Sequence, residues 1–467
     1  MKEKIVNLIA DHVEGMTAEE IATFIEIPPK QELGDYAFPC FRLAKTMHKA
    51  PNLIAADIKE AIGDVDFLDK IDVQGAYLNF FVKKDIFVQT MIEAALKDNF
   101  GGSDEGADKV ICIDYSSPNV AKNFHVGHLR TTIIGNSLYK IYSKLGYKVI
   151  RINHLGDWGT QFGKLIVAYK NWGTKEAVEK DGVAELMRLY VKFHEEADKN
   201  PELVDEARAW FSKMEHGDEE ALSIWQWFKD ISLVEYKRTY DLLGMDFDYY
   251  LGESFYRDKC QDVVDQLTNA NLLKESEGAM IVDLSDYDMA PCIVTKKDGS
   301  SIYATRDLAA IFYRKNTYHF TKCLYVTGQE QKLHFAQVFK VVELLGNDWA
   351  KDSLVHIPYG LVSLEGAKLS TRSGNIIYAE DILHDAIKKS FEIISEKSPN
   401  LPDKEEVAKI VGVGSVLFND LYNQRIKDVS FSWDKVLNFD GETGPYVQYT
   451  HATVSYTHLT LPTIYSV

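Results

Sequence analysis

The chain has 467 residues, which is too long for one hydrophobic core and predicts about two to four domains. Apolar residues make up 46% of the chain and aromatic residues 12%, as in globular enzymes, and no run approaches the roughly 18 apolar residues of a membrane helix. The net charge of −18 excludes a protein that coats nucleic acid indiscriminately, because such binding needs clustered Lys and Arg. Local basic patches could still contact RNA.

The cysteines indicate a reducing compartment. They are few, far apart and without a Cys-x-x-Cys pair, which predicts free thiols and no structural zinc site. The N-terminus, MKEKIVNLIADH, is interrupted by charges and is not typical of a secretory signal. We therefore expect a cytoplasmic protein with no membrane partner. The five cysteines are Cys40, Cys112, Cys260, Cys292 and Cys323.

Residues 1–100 are predicted to form a small α+β domain. Ile54, Ile58 and Ile62 recur at helical spacing, and 76–82 (AYLNFFV) is typical of a strand. The Gly- and Asp-rich residues 101–109 then predict a linker.

The most informative stretch is 110–130, VICIDYSSPNVAKNFHVGHLR. A buried strand is predicted first, then a polar turn, then a helix that begins near His125-Val126-Gly127-His128. A helix N-terminus after a strand offers backbone N–H groups and a positive dipole to phosphate. Gly127 would let a flat base approach the backbone, and two histidines three apart can donate to phosphate oxygens.

Residues 110–395 predict a doubly wound α/β domain. The segments VICIDY, HLRTTIIGNSLYKIYSKLG and YKVIRIN alternate strand, helix and strand, for which a right-handed parallel crossover is the default. Residues from about 172 to 248 are charged and helix-patterned, and predict an inserted helical excursion. The sheet is predicted to resume at 323–327 and 354–358.

The end of the chain is predicted to be helical over 396–453 and then loses that pattern. The last residues, 454–467 (VSYTHLTLPTIYSV), do not continue it. We expect an atypical tail there.

The His motif alone supports phosphate binding no more strongly than it supports two alternatives taken together, which are a surface His pair and half of a metal site. Its context changes this, because SSPNVAKNFHVGHLR is followed by INHLGDWGTQFG at 152–163. Together these segments closely resemble the arginyl-tRNA synthetases, which are class I aminoacyl-tRNA synthetases. The resemblance extends from about residue 32 to about residue 452. It implies the class I Rossmann-like fold, and a C-terminus cut short at the start of an anticodon-binding helical domain.

The resemblance implies roles in ATP binding and catalysis. His125, Gly127 and His128 would contact ATP, and His125 and His128 would also be catalytic. The second family signature appears as KLSTRSG at 368–374, where Thr371 replaces a lysine. In the arginyl enzymes the lysine before the His motif takes over the catalytic role of the missing lysine. In this chain that residue is Lys122. Further ATP contacts would come from Lys368, Ser370 and Arg372, with Lys368 also catalytic.

The resemblance also implies an arginine pocket. Tyr303 and Asp307, in SIYATRDLAA, would hold the guanidinium group, with Asp307 as the ion partner. An exposed helix pair is the alternative reading of these two residues. Other arginine contacts would come from Asp114, Ser117, Asn119, His128 and Gln331.

The N-terminal domain would contact the outer corner of tRNA. Residues in matching stretches are Lys30, Arg42, Lys45 and Asn79. The alternative for each of them is an ordinary solvated side chain.

The expected function is the joining of L-arginine to arginine tRNA, with ATP as substrate and Mg²⁺ as its counter-ion, by a monomer. Arginyl-adenylate would form first, and the arginyl group would then move to the 3′ end of the tRNA. Three alternatives remain open at this point. The first is a chain without catalytic activity, either a tRNA- or protein-binding paralogue or a truncated inactive form. The second is a nucleotidyltransferase with the same His motif. The third is a class I synthetase for another amino acid.

Overall fold

The computed structural model describes residues 1–13, 15–297, 302–364, 378–438 and 441–453. The chain forms two compact units, Met1–Gly102 and Ser103–Val467. Within the described ranges, every helix is too short or too polar to cross a membrane.

The first unit is an α+β structure. Its elements are α1 (Lys2–Ala10), α2 (Ala18–Phe24), β1 (Tyr36–Pro39), α3 (Ala44–Met47), α4 (Pro51–Ile62), β2 (Leu68–Gln74), β3 (Tyr77–Val82) and α5 (Lys84–Ala95). The strands form an antiparallel sheet in the order β1-β3-β2. Phe38 and Phe80 of the sheet are buried with Ile54 and Ile58 of α4, so one apolar helix face covers the sheet.

The second unit alternates strands and helices. Its strands are β4 (Val110–Asp114), β5 (Lys148–Asn153), β6 (Tyr249–Tyr250), β7 (Leu273–Ser276), β8 (Ala279–Val282), β9 (Cys292–Thr295), β10 (Lys322–Gly328), β11 (Leu354–Tyr359), β12 (Val362–Leu364) and β13 (Val429–Phe431). Its helices are α6 (Val126–Lys144), α7 (Thr160–Trp172), α8 (Lys175–Ala197), α9 (Glu202–Glu215), α10 (Glu219–Leu243), α11 (Glu253–Tyr256), α12 (Cys260–Asn269), α13 (Tyr303–Tyr318), α14 (Lys332–Leu344), α15 (Ala350–Ser353), α16 (Ala379–Lys397), α17 (Lys404–Tyr422) and α18 (Trp433–Val436).

A parallel sheet is the centre of this unit. In the part of the chain that the structure describes, its strands follow the order β11-β10-β4-β5-β6, and every neighbouring pair is parallel. The doubly wound parallel sheet predicted from the sequence is therefore confirmed. The strand order reverses direction between β4 and β10, and ligands of such folds bind at the carboxyl ends of the strands beside that reversal.

Helices cover both faces of the sheet. Ile111 and Ile113 of β4 pack with α6 on one face, whereas Cys112 between them packs with α13 on the other. This alternation follows from the twofold side-chain period of a strand. Only the loops beyond the carboxyl ends of the strands can therefore bring residues of α6 and α13 to a common site.

Helices α7 to α10 form a helical group with its own core. Ile166, Phe193, Trp210 and Phe228, one from each helix, are all buried there. Helices α7 and α9 approach closely at Gly163, where a Cβ atom would lie 2.0 Å from the carbonyl oxygen of Ala207. Glycine at this position sets the distance between the two helices.

Two smaller sheets were not predicted from the sequence. Strands β7, β8 and β9 form an antiparallel sheet, and β12 pairs in parallel with β13. All five strands are only three or four residues long, which is too short for a clear periodic pattern. The β12–β13 pair joins the 396–453 region to the parallel-sheet unit.

Gly163→Ala is expected to destabilise the second unit by about 1–3 kcal/mol, because the added methyl group meets a backbone carbonyl that cannot move freely. Gly414→Ala is a matched control in α17, since the nearest atom there is the end of the flexible Gln448 side chain. The control should be neutral or stabilising by about 0.5–1 kcal/mol. Urea unfolding followed by tryptophan fluorescence tests both variants, because all seven tryptophans lie in this unit. Equal midpoints for the two variants would contradict the packing argument.

Candidate active site

The loop after β4 has an unusual backbone. Ser116, Ser117 and Ala121 have positive φ angles of 71°, 47° and 59°. Such angles are costly for residues other than glycine and persist where surrounding structure enforces them, commonly at functional sites. The loop leads from the central strand directly to His125.

Helix α10 enforces this loop conformation. The Tyr236 hydroxyl lies 2.7 Å from the carbonyl oxygens of Asn119 and Lys122. The Tyr240 hydroxyl is bonded to Ser116 Oγ at 2.7 Å, and the Ala121 backbone N–H donates to Ser232 Oγ at 3.0 Å. The predicted helical excursion therefore supplies direct support to the loop.

The loop after β5 is fastened to the loop after β4. Val120 N donates to the Gly156 carbonyl, and Gly156 N donates to the Pro118 carbonyl, both at 3.1 Å. A Cβ atom on Gly156 would lie 2.0 Å from Asn119 Oδ1 and 3.3 Å from Asn119 Cα, so a larger residue here would displace the Asn119 side chain from its present position. The carboxyl ends of two neighbouring strands thus form one continuous wall.

The two histidines of the motif are held by the backbone at the start of α6. His125 Nδ1 accepts from the Gly127 N–H at 3.1 Å, and His128 Nδ1 accepts from the His125 N–H at 3.3 Å. The rings stack with centroids 3.9 Å apart. Because both Nδ1 atoms act as acceptors, the proton of each neutral ring lies on Nε2.

Both imidazoles are neutral at pH 7. Burial lowers the pKa of His125, and the exposed Lys122 ammonium lowers it further. The pKa of His128 lies well below its usual range, first because of burial and then because of His125 and Lys122. Each neutral ring can donate a hydrogen bond to an anion through its Nε2–H group, and the neighbouring Lys122 supplies the positive charge.

A cavity of about 520 Å³ opens beside these loops at the carboxyl ends of β4 and β10. Its walls combine carboxylates, imidazoles, hydroxyl groups and aromatic rings. The lining residues are Asp114, Ser117, Asn119, His154, Gly156, Glu253, Tyr303, Asp307, Tyr325, Thr327, Gln331, His334 and Phe335.

One wall of the cavity is ordered by a buried ion pair. Arg314 Nη2 lies 2.7 Å from Asp114 Oδ2, and Asp114 Oδ1 accepts from Ser117 Oγ at 2.9 Å. The same Nη2 contacts His154 Nδ1 at 3.1 Å. Because arginine can only donate, His154 Nδ1 must accept, and the proton of this ring is on Nε2.

Asp307 also lines the cavity. Its Oδ2 atom accepts from His334 Nε2 at 2.6 Å, and the Tyr303 ring lies 4.8 Å from the His334 ring. Burial alone would raise the pKa of Asp307, but the hydrogen bond from His334 and the nearby His154 and Arg314 outweigh it and lower the pKa. Asp307 is therefore a carboxylate at pH 7.

Glu253 is a third carboxyl group on the cavity. Burial raises its pKa to about 7; Arg306, at 3.1 Å, opposes that rise, whereas Asp307 and Asp157 add to it. Asp114 and Glu253 are each paired with an arginine, whereas Asp307 is bonded to an imidazole. The cavity thus has three carboxyl groups and two arginines paired with them. This excess of acidic groups favours a cationic ligand.

The structure brings most of the predicted arginine contacts together. His128 is the exception, because it is absent from the cavity lining and faces its neighbour His125. Seven lining residues were not singled out from the sequence, and three of them, His154, Glu253 and His334, carry an imidazole or a carboxyl group. The predicted residues that do line the cavity are Asp114, Ser117, Asn119, Tyr303, Asp307 and Gln331.

Other predicted residues lie elsewhere. Lys368, Ser370 and Arg372 fall outside the described residues, as does the tail 454–467. Arg42 and Lys45 are exposed in the first unit, where Arg42 stacks on Phe24 at 4.7 Å. Asn79 is only 3% exposed, so its side chain offers almost no surface to RNA, contrary to what the tRNA contact requires.

Family models match most of the chain. Residues 90–433 match the class I tRNA synthetase (R) catalytic domain, and residues 2–82 match the arginyl-tRNA synthetase N-terminal domain. Arginine–tRNA ligase of Alkaliphilus metalliredigens is 58% identical over 97% of this chain and 80% of its own length. The ligase of Clostridioides difficile is 56% identical with the same coverage.

Solved structures have the same fold. Arginyl-tRNA synthetase of Thermus thermophilus matches with a TM-score of 0.78 and 23% identity, over 97% of this chain and 81% of that one. The Plasmodium falciparum enzyme matches with a TM-score of 0.74 and 22% identity, over 96% and 79%. With two family models and relatives above 50% identity, the chain belongs to the arginyl-tRNA synthetases, the class I ligases that join arginine to its tRNA.

Proposed function

We propose that the 520 Å³ cavity is the arginine site of this ligase and that Asp307 is the partner of the guanidinium group. The observation that carries this assignment is the set of three carboxyl groups on one cavity, of which Asp307 has an imidazole and not an arginine as its bonded partner. Glu253 faces the same space, so a planar, bidentate cation could contact both carboxyl groups. Tyr303 and Gln331 would complete this end.

The other end of the cavity is assigned to the α-amino and carboxylate groups of arginine. Ser117 and Asn119 lie there with Asp114, whose carboxylate is already engaged by Arg314 and Ser117 and so has a fixed orientation. Asn119 lies on the loop that continues to His125, so the reacting carboxylate would point towards the His motif.

The triphosphate of ATP is assigned to the start of α6. The Nε2–H groups of His125 and His128 would donate to phosphate oxygens, Lys122 would neutralise charge, and Gly127 would allow close approach of the nucleotide.

A carboxylate oxygen of arginine attacks the α-phosphorus and pyrophosphate leaves. The 2′-hydroxyl of the terminal tRNA adenosine then attacks the arginyl carbonyl and AMP leaves. Catalysis is thus positioning and charge neutralisation. Lys368, Ser370 and Arg372 remain predicted contacts.

Mg²⁺ is assigned to the substrate and not to the protein. Among the described residues, no group of three His, Cys, Asp or Glu side chains could hold a metal ion. We propose that Mg²⁺ arrives as the counter-ion of ATP.

We also propose a cytoplasmic monomer that contacts tRNA through exposed basic residues of the first unit, such as Arg42 and Lys45. The five cysteines are buried free thiols, which suits a reducing compartment. Sedimentation velocity tests the oligomeric state. The other classes of function considered from the sequence are not favoured, because the His pair and Asp307 are present and the relatives are ligases.

The decisive assay is arginine-dependent exchange between ATP and pyrophosphate, with and without arginine tRNA. In it, Asp307→Asn is expected to raise the KM for arginine about 100-fold while the KM for ATP changes less than about threefold, because a buried guanidinium group loses its carboxylate partner. Asp283→Asn, in an exposed hairpin ion pair with Lys274, is the matched control and should change neither value. Equal increases in both KM values would remove Asp307 from the guanidinium pocket, and no exchange by the folded wild-type chain under either condition would refute the activity.

Gly127→Ala is expected to lower exchange activity about 10- to 100-fold without destabilising the fold. A Cβ atom at this position would lie 2.9 Å from His125 Cε1, so the imidazole must move. Alanine is otherwise favourable inside a helix. Thermal unfolding of the same sample is the control, and a loss of activity that parallels a loss of stability would contradict the prediction.

Arginine binding is expected to release about half a proton at pH 7 and much less at pH 8. The pKa of Glu253 is raised to about 7, so about half of it is protonated at pH 7, and a bound guanidinium group favours the carboxylate form. Calorimetry in buffers of different ionisation enthalpy measures the released fraction. Glu253→Gln should abolish the release, and Glu185→Gln, a buried glutamate of α8 paired with Arg188, should leave it unchanged. Release that persists in Glu253→Gln would assign the proton to another group.

A further inference from the structure

Arg130 is a buried arginine that contacts three separate carbonyl groups. It lies on α6, five residues after His125, and is 1% exposed. Its Nη1 donates to the Leu361 carbonyl at 3.3 Å, and its Nη2 donates to the carbonyls of Arg425 and Lys427 at 3.0 and 3.2 Å. Only the planar fork of a guanidinium group can donate in these directions at once.

The three carbonyls belong to the junction where β12 and β13 begin. Gly360 N donates to the Arg425 carbonyl at 2.8 Å, and Val429 N donates to the Leu361 carbonyl at 2.9 Å. Leu361 N donates to Asp428 Oδ1 at 2.7 Å. The Arg130 side chain therefore fixes α6 against β12, which follows the last strand of the parallel sheet, and against β13, which follows α17.

Asp420 of α17 completes the contact. Its Oδ1 lies 3.5 Å from Arg130 Nε, and its Oδ2 has no hydrogen-bond partner among the described residues. Burial raises the pKa of Asp420 to about 6, and Arg130 opposes that rise. Both side chains line a cavity of about 20 Å³, which is large enough for one bridging water.

A second contact holds the other end of this region to the His motif. Tyr378, the residue before α16, forms a backbone bridge with His125, and Ala379 N donates to the Phe124 carbonyl at 3.0 Å. The hydroxyl of Tyr378 accepts from Asn123 Nδ2 at 3.2 Å. The α16–α17 pair is thus joined to α6 at its first turn by Tyr378 and one turn further on by Arg130.

We propose that Arg130, assisted by Asp420, is a positioning residue for the triphosphate half of the site: it sets the first turn of α6, and with it the two imidazoles, against α16 and α17. Arg130 does not line the arginine cavity, and the acceptors of its hydrogen bonds are backbone carbonyls and not the imidazoles. The inference rests on the assignment of the His pair to ATP. Loss of Arg130 should therefore affect the use of ATP and spare the binding of arginine.

Arg130→Lys in the full chain tests this in the exchange assay with tRNA present. The KM for ATP is expected to rise about tenfold while the KM for arginine changes less than about twofold. Arg151→Lys is the matched control, because Arg151 also packs on α6, against Tyr139 at 4.6 Å, but far from its first turn. Neither KM should change in the control.

Asp420→Asn is a second variant that keeps the volume of the side chain, in case Arg130→Lys folds poorly. It should raise the KM for ATP about two- to fivefold, and the double variant should show less than the product of the single effects.

A purely structural role would reduce the active fraction with both KM values unchanged, and that result overturns the inference. An arginine KM that rises as much as the ATP KM also overturns it. A wild-type chain without exchange would refute the proposed function, whereas normal wild-type exchange with unaltered KM values in both variants would refute the role of Arg130 alone.

Discussion

The ion pair between Asp114 and Arg314 joins the two halves of the site. Asp114 is the last residue of the central strand and Arg314 lies on α13, on the face of the sheet opposite α6. Asp114 also bonds Ser117, on the loop to the His motif, and Arg314 also bonds His154, on the loop after β5. Removing either partner would leave a buried charge uncompensated, at a cost of about 3–5 kcal/mol. Three elements that meet only at the edge of the sheet are held together by these two side chains.

Charge explains why such a cavity would select arginine. Carboxyl groups on the cavity are expensive to bury, and the guanidinium ions of Arg314 and Arg306 compensate two of them. Asp307 keeps its negative charge beside an imidazole, so an incoming cation completes the balance. A neutral amino acid would leave the Asp307 carboxylate without a cationic partner, and lysine would form only one of the two hydrogen bonds of the fork. Discrimination of this kind needs no second, editing site.

Sequence patterns predicted the parts of this structure that are encoded locally. The β4–α6–β5 crossover follows from an apolar run, a helical period and a second apolar run, and the observed bounds differ from the predicted ones by about two residues. The antiparallel β7–β9 sheet was missed because strands of four residues carry little periodicity. Asn79 looked like a polar surface residue, yet the folding of β3 buries it.

The candidate site was predictable only in part, for a related reason. Asp307 and Tyr303 were found through a family motif, and the His pair through its spacing. His154 lies in the 152–163 segment and His334 three residues after Gln331, but neither residue was given a role from the sequence, and Glu253 lies in a stretch with no recognised motif. Their proximity depends on the strand order, which periodicity does not encode. The neutral state of the imidazoles is likewise a property of the fold, because it follows from burial and from the Lys122 ammonium.

The helical insertion has a structural role that its sequence does not reveal. A chain segment with positive φ angles at Ser116, Ser117 and Ala121 would relax if it were free, since these angles cost free energy at residues with a Cβ atom. Three side chains of α10 prevent this by hydrogen bonding, two from tyrosine hydroxyls and one from a serine hydroxyl. These hydroxyl groups are buried, so an unmade bond would leave polar atoms unsatisfied in the core. The insertion and the strained loop therefore stabilise each other, and the loop carries Asn119 to the cavity at the ends of β4 and β10 and His125 to the first turn of α6.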